Sequence, residues 1–254
     1  MRHVLITGGG GFLGRKLAGA LNARSDVEKI TLFDQAPIPD PPAKAACVVG
    51  DLLAPGMIER IATADVDAVV HLAAVVSSGA EADFDLGMRV NIDGLRLLLE
   101  RLRALGTAPK VLFTSSVAAF GETPPVVDDL TPTRPQSSYG AQKAIGEYIV
   151  NDMSRKGFID GRVMRLPTVV VRPGRPNKAA SSFASGILSR ASVRSERTSP
   201  SGSRRRAPSS ARWSMRWRRR PTFGRLGGRS TFAASPSPSR KWSPRWNAPA
   251  ATPA

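Results

Sequence analysis

Apolar positions follow two rhythms along the first two thirds of the chain. Short β-rich runs fall at residues 2–7, 29–33, a stretch ending at Val49, 68–72, 110–114 and from Arg162 onward. Each is bounded by glycine, proline or acidic residues and reads as a strand. Between them lie longer stretches with helical spacing, at 15–22, within 80–105 and at 135–156. In the second of these, Val90, Leu95, Leu98, Leu99 and Leu102 share one side, so the spacing predicts one long amphipathic helix. Strands alternating with helices in this way predict an α/β fold, a parallel sheet covered by helices on both faces. Sheets of that kind bind ligands at the carboxyl ends of their strands. The glycine-rich segment after the first strand, Asp34, Ala73 with Ala74, and Thr114-Ser115-Ser116 all fall at such ends.

The segment between the first strand and helix places Gly8, Gly11 and Gly14 in Gly-x-x-Gly-x-x-Gly spacing, a variant of the dinucleotide fingerprint. One glycine permits a tight turn, one lets backbone amides approach a pyrophosphate, and one allows close helix–strand packing. The following helix N-terminus offers unpaired N–H groups and partial positive charge to phosphates. Asp34 closes the second strand twenty positions after Gly14, where an acid accepts hydrogen bonds from the adenosine ribose. Gln35 rather than Arg follows it, leaving no local counter-charge for a 2′-phosphate, so NAD is expected over NADP. After the third strand, Asp51 is placed either to reach an adenine amine or to cap a helix.

Tyr139 and Lys143 stand four apart in a predicted helix and therefore share a face. A nearby ammonium favours phenolate over phenol, drawing a tyrosine down from its ordinary value of about 10. Tyr139 then becomes a proton acceptor near neutral pH, which an alcohol needs if its carbon is to lose hydride.

Composition divides the chain. Residues 189–254 carry fifteen Arg and one Lys against a single acid, Glu196, and contain all four tryptophans. Nearly all of the formal charge of +17 therefore resides there. The preceding residues hold 21 basic and 19 acidic side chains, a balance that fits an enzyme domain long enough to bury a core. The lone cysteine, Cys47, excludes an intrachain disulfide and a cysteine-rich metal site. Its apolar surroundings predict a small buried residue. His3 and His71 lack ligand-like neighbours, so they read as structural and no metal is expected. No apolar run approaches a membrane span and no secretory segment precedes the first strand, which fits a cytoplasmic enzyme.

Taken together, the run from Thr7 to Gly14, Asp51 with Leu52, His71-Leu72-Ala73-Ala74, Asn91, the run from Thr114 to Gly121, and Tyr139 with Lys143 resemble the extended short-chain dehydrogenase/reductase family. That family contains the NAD-dependent nucleotide-sugar epimerases and dehydratases, and the resemblance covers about residues 1–188. It implies a Rossmann-type doubly wound sheet. Residues 75–87 and 165–174 are similar to the D-erythronate dehydrogenase branch, which implies NAD-dependent oxidation of a four-carbon sugar acid at its 2-hydroxyl. By the same resemblance Tyr139 is the general base, and Lys143 lowers its pKa and holds the nicotinamide ribose. Ser116, with Ser115 as the neighbouring candidate, hydrogen-bonds the reacting oxygen. The implied cofactor contacts are Gly8, Gly11, Phe12, Leu13, Gly14, Asp34, Asp51, Leu52, Leu72, Ala73, Ala74, Asn91, Ser115, Tyr139, Lys143, Thr168 and Val169. Substrate would meet Ser78, Ser116, Tyr139 and an arginine, Arg172 or Arg175, whose guanidinium matches a carboxylate bidentately. Relatives of this kind pair as homodimers through their two long helices.

From Ser189 the apolar rhythm stops. The segment contains no Ile, Asp or Tyr and too little apolar surface to offset chain ordering, which predicts disorder. Three readings compete: a natural basic tail, a nucleic-acid-binding segment mixing arginine with tryptophan, and the product of a shifted reading frame. The abrupt compositional change favours the third, with 189–254 standing where the family carries the rest of its sheet and a small substrate domain. Nucleic acid would then be bound only nonspecifically, through charge.

Overall fold

The computed structural model describes residues 1–128 and 130–169. Arg172, Arg175, the 188/189 boundary and the basic tail lie outside the described residues. Six strands, β1 (His3–Thr7), β2 (Lys29–Asp34), β3 (Ala45–Val49), β4 (Ala68–His71), β5 (Lys110–Ser116) and β6 (Asp160–Leu166), form one parallel sheet in the order β3-β2-β1-β4-β5-β6. Chain direction across the sheet reverses between β1 and β4, the crevice where doubly wound sheets receive nucleotides.

Alternation along each strand assigns its residues to two cores. Leu5, Phe33, Val69, Val111 and Phe113 pack on one face against helices α2 (Met57–Ile61), α5 (Gly94–Leu105) and α6 (Ser138–Arg155). Val4, Ile6, Ile30, Leu32 and Ala68 pack on the other face with Ala18 and Leu21 of α1 (Phe12–Asn22). Leu95, Leu98, Leu99 and Leu102 are fully buried, as helical spacing predicts for the inward stripe of α5. This helix stops at Gly106, whose positive φ of 69° suits a residue without a side chain. Ser137 starts α6, its hydroxyl accepting from the Gly140 amide at 3.1 Å.

One expectation is refined and one corrected. A separate short helix, α3 (Ser77–Ala82), precedes the long helix expected within 80–105, which runs without a break through α4 (Phe84–Met88), a π-helical turn (Arg89–Asp93) and α5. Asp83 is extended and separates α3 from α4; its carboxylate caps α4 by accepting from Leu86 N at 2.9 Å. Cys47 is exposed rather than buried, because its apolar run forms an edge strand paired only through β2. Both histidines are structural. His3 is buried between Asp65 and Thr31, and His71 between Thr7 and the ring of Phe113.

Candidate active site

The glycine turn is built by close backbone approach. Gly8 has φ of 72°, and a Cβ there would lie 2.7 Å from the Ala73 amide nitrogen. A Cβ on Gly14 would fall 2.5 Å from the Gly8 carbonyl oxygen, so only glycine lets α1 start this near β1. Gly11 is the N-cap of α1 and no side chain caps the helix, leaving its first amides directed at the crevice. Phe12 is half-buried and Leu13 exposed at that end. Asp34 stands across the turn, Oδ2 accepting from the Gly10 amide at 2.9 Å. Uncapped amides, a turn too tight for side chains and an adjacent carboxylate fit the pyrophosphate and ribose of a dinucleotide.

The remaining expected cofactor contacts divide. Ala73 and Ala74 follow β4 directly beside the turn, and Leu72 packs partly onto the α1 core. Asp51 is exposed and caps a turn, accepting from Leu53 N at 3.0 Å, whereas the N-cap of α2 is Gly56. Leu52 is buried, with its side chain in the core beside Gly94, so a ligand would meet only its backbone. Asn91 is also redirected. Buried on the π-helical turn, it accepts from Val75 N at 2.8 Å, donates to Val75 O at 3.0 Å and donates to Gln142 Oε1 at 2.7 Å. Its amide therefore secures the segment after β4 and does not face a ligand. Single π turns of this kind recur at functional sites because they re-aim side chains.

Helix α6 brings the catalytic candidates to the end of β5. Lys143 is buried, its Nζ donating to the Thr114 carbonyl at 2.9 Å and lying 5.6 Å from the centre of the Tyr139 ring. Burial pushes the ammonium down to about 8 from its ordinary 10.5. Desolvation, with Lys143 as the lesser cause, holds His71 down to about 3, so that imidazole is neutral. Tyr139 is half-buried.

The two serines separate by strand alternation. Ser115 is buried and donates a short hydrogen bond to Glu147 Oε1, so its side chain is engaged within the protein and only its backbone is left for the expected cofactor contact. Ser116, half-buried on the opposite face, accepts from Ala118 N at 3.1 Å, and its hydroxyl proton remains for donation. Ser78 lies exposed on α3, which packs against α6. Glu81 of the same helix accepts from Ser138 N at 2.9 Å, tying it to the start of α6. Thr168 and Val169 follow β6 at the carboxyl end of the sheet.

Sequence reasoning missed Gln142, Glu147 and Arg165. Glu147 is buried and takes the Arg165 guanidinium bidentately, at 2.9 Å from Nε and 2.7 Å from the terminal nitrogen. One signal was available: an acid eight positions after Tyr139 continues the face that carries Lys143. Arg165 gave none, since its partner comes from a distant helix.

Residues 4–207 match the NAD dependent epimerase/dehydratase family. The chain is 57% identical over 197 residues to D-erythronate dehydrogenase of Cupriavidus necator, covering 73% of this chain and 61% of the relative. Against D-erythronate dehydrogenase of Haemophilus influenzae it is 47% identical over 192 residues, covering 73% and 60%. The chain thus spans about three fifths of the length of these curated relatives. Among solved structures, the nucleoside-diphosphate-sugar epimerase from Agrobacterium tumefaciens superposes with a TM-score of 0.68 at 45% identity, over 74% of this chain and 58% of that one. The NAD complex of UDP-glucose 4-epimerase from Thermus thermophilus gives 0.62 at 26% identity, over 71% and 59%. With a family model matched over most of its length and relatives this similar, the chain belongs to the NAD dependent epimerase/dehydratase family.

Proposed function

We propose that this chain carries the cofactor-binding and catalytic half of an NAD-dependent dehydrogenase acting on the 2-hydroxyl of a small sugar acid of the D-erythronate class. The observation that supports this reading is the position of Lys143 on α6, 2.9 Å from the Thr114 carbonyl and 5.6 Å from the centre of the Tyr139 ring, with Ser116 two residues beyond Thr114 at the end of β5. The identity to two D-erythronate dehydrogenases supports the substrate class. Gly8, Gly11 and Gly14, the first amides of α1 and Asp34 would hold NAD, Lys143 would line the nicotinamide side, and Asn91 would act there only by holding the Val75 segment in place. NAD supplies the hydride acceptor when bound.

The chain's own groups handle the proton. Ser116 donates a hydrogen bond to the substrate hydroxyl oxygen and orients it. Tyr139, as phenolate beside the Lys143 ammonium, accepts the hydroxyl proton while hydride leaves the same carbon. The charge developing on that oxygen is stabilised by donors already in place. Ser78 and Thr168 border the same end of the sheet, and Arg175 is assigned to the substrate carboxylate.

We assign residues 1–188 to the nucleotide-binding domain and 189–254 to a separate basic segment, with a shifted reading frame as the origin that its composition favours. Sequencing the gene around codon 188 tests that origin. A cytoplasmic location belongs to the same reading; no helix among the described residues is long and apolar enough to cross a membrane.

The second reading is a nucleotide-sugar epimerase, favoured by the likeness to the Agrobacterium tumefaciens structure. Incubation with NAD and D-erythronate separates the two. A dehydrogenase accumulates NADH in proportion to substrate, whereas an epimerase returns the hydride to its own intermediate and accumulates none.

A further inference from the structure

The ion pair between buried Glu147 and half-buried Arg165 lies beside the reacting end of β5. Arg165 sits directly opposite Ser115 in the β5–β6 register, and its guanidinium lies 4.4 Å from the centre of the Phe120 ring. Glu147 binds both Arg165 and the Ser115 hydroxyl. Ser116 therefore has an anchored residue immediately before it and an anchored ring four positions after it. A second anchor comes from the start of the same helix. Gly140 approaches the turn after Ser116 so closely that a Cβ there would lie 2.3 Å from the Ala118 carbonyl oxygen. Helix α6, which carries Tyr139 and Lys143, thus grips the Ser116 segment at two points, Gly140 with Ala118 and Glu147 with Ser115.

We propose that Glu147, through Arg165 and Ser115, is a positioning residue that fixes the Ser116 hydroxyl relative to Tyr139. It acts on proton transfer without contacting substrate or cofactor. A partly buried ion pair is weak evidence for stability, because removing charges from water opposes their attraction. Geometry is the better account of this one. With Ser115 the pair ties three elements together, α6, β6 and β5, and displacement of a reacting group by about 1 Å is enough to lower a rate by about 100-fold.

The kinetic part of the test rests on the dehydrogenase reading, so the other part does not. In the full chain, Glu147→Gln should accelerate hydrogen exchange of the Ala118 amide, which is held by Ser116 Oγ, while amides of α1 stay unchanged. That readout needs neither turnover nor cofactor. Unchanged exchange at Ala118 overturns the proposal even if the protein is an active dehydrogenase. With D-erythronate and NAD, Glu147→Gln should lower kcat at least about tenfold and leave the KM for NAD nearly unchanged. In a Ser116→Ala background the same substitution should have little further effect, because Glu147 acts through Ser116. Losses that multiply independently overturn it. Should Glu147→Gln fold poorly, Glu147→Met with Arg165→Met removes both charges. The expected result is a folded protein with accelerated Ala118 exchange and low kcat; full recovery of kcat with stability would make the pair merely structural. A parent protein that never forms NADH refutes the dehydrogenase reading and leaves the exchange result to decide the positioning role.

Discussion

Lys143 and Thr114 meet where α6 crosses the carboxyl end of β5, the ammonium donating to the main-chain carbonyl at 2.9 Å. One carbonyl does not replace the hydration that burial removes, and Lys143 is pushed down to about 8. Between pH 8 and its ordinary 10.5 the unfolded chain therefore binds more proton at this residue than the folded chain. Stability must rise with pH across that window, by on the order of 3 kcal/mol from this group. Below pH 8 the ammonium is charged in both states, and the full unfavourable contribution of burying it is present. Denaturant unfolding of the parent and of Lys143→Met at several pH values should show the parent gaining on the variant only above about pH 8. A constant difference contradicts the assignment.

Asp34 contributes twice at the glycine turn. It holds the Gly10 amide, and in the proposed function its carboxylate also accepts from the adenosine ribose. Asp34→Ala should weaken NAD binding at least about tenfold, since hydrogen bonds to charged groups contribute roughly 1.5–3 kcal/mol. NADP binding should fall less, so the preference between the two cofactors should narrow. Titration of both cofactors into both proteins measures this, and an unchanged ratio removes Asp34 from cofactor selection.

Asn91 fixes the Val75 backbone from both sides and also reaches Gln142, whose other amide atom, Nε2, is buried without a partner among the described residues. Two bonds to the Val75 main chain settle the orientation of Asn91, which in turn dictates that Gln142 presents Oε1. Asn91→Ala strips Val75 N, Val75 O and the buried Gln142 Oε1 of a partner and should lower unfolding free energy by about 3 kcal/mol. Chemical denaturation checks this; a change below about 1 kcal/mol would show that water or rearrangement satisfies those groups.

Gly14 tests the shape of the turn apart from its chemistry. A Cβ there would also lie 2.7 Å from Gly9 Cα, so backbone on both sides must move. Gly14→Ala should abolish detectable NADH binding by fluorescence while far-UV circular dichroism stays close to that of the parent. Retained NADH affinity would mean that the turn tolerates displacement and does not define the nucleotide site.

What the sequence made legible is what local geometry controls. The glycine spacing, the acid twenty positions later and the Tyr139–Lys143 face depend on a few consecutive residues, and they fall where expected. The β-rich runs also located the strands. They misled at Cys47, because an apolar run cannot reveal that its strand lies at the edge of a sheet. The π-helical turn was hidden for a similar reason. It carries Asn91 to Val75, sixteen residues back, and helical periodicity carries no trace of that contact. Glu147, Arg165 and the opposed serines depend on the β5–β6 register and on the seating of α6, both set by tertiary packing.

The most direct test of the enzymatic account is NADH formation from D-erythronate and NAD by the full chain beside its Tyr139→Phe variant, with NADH affinity measured for both. The account predicts substrate-dependent NADH from the parent and a loss of at least about 100-fold in the variant, with NADH bound nearly as tightly, since a general base contributes roughly that much. Equal turnover by the two proteins would contradict it.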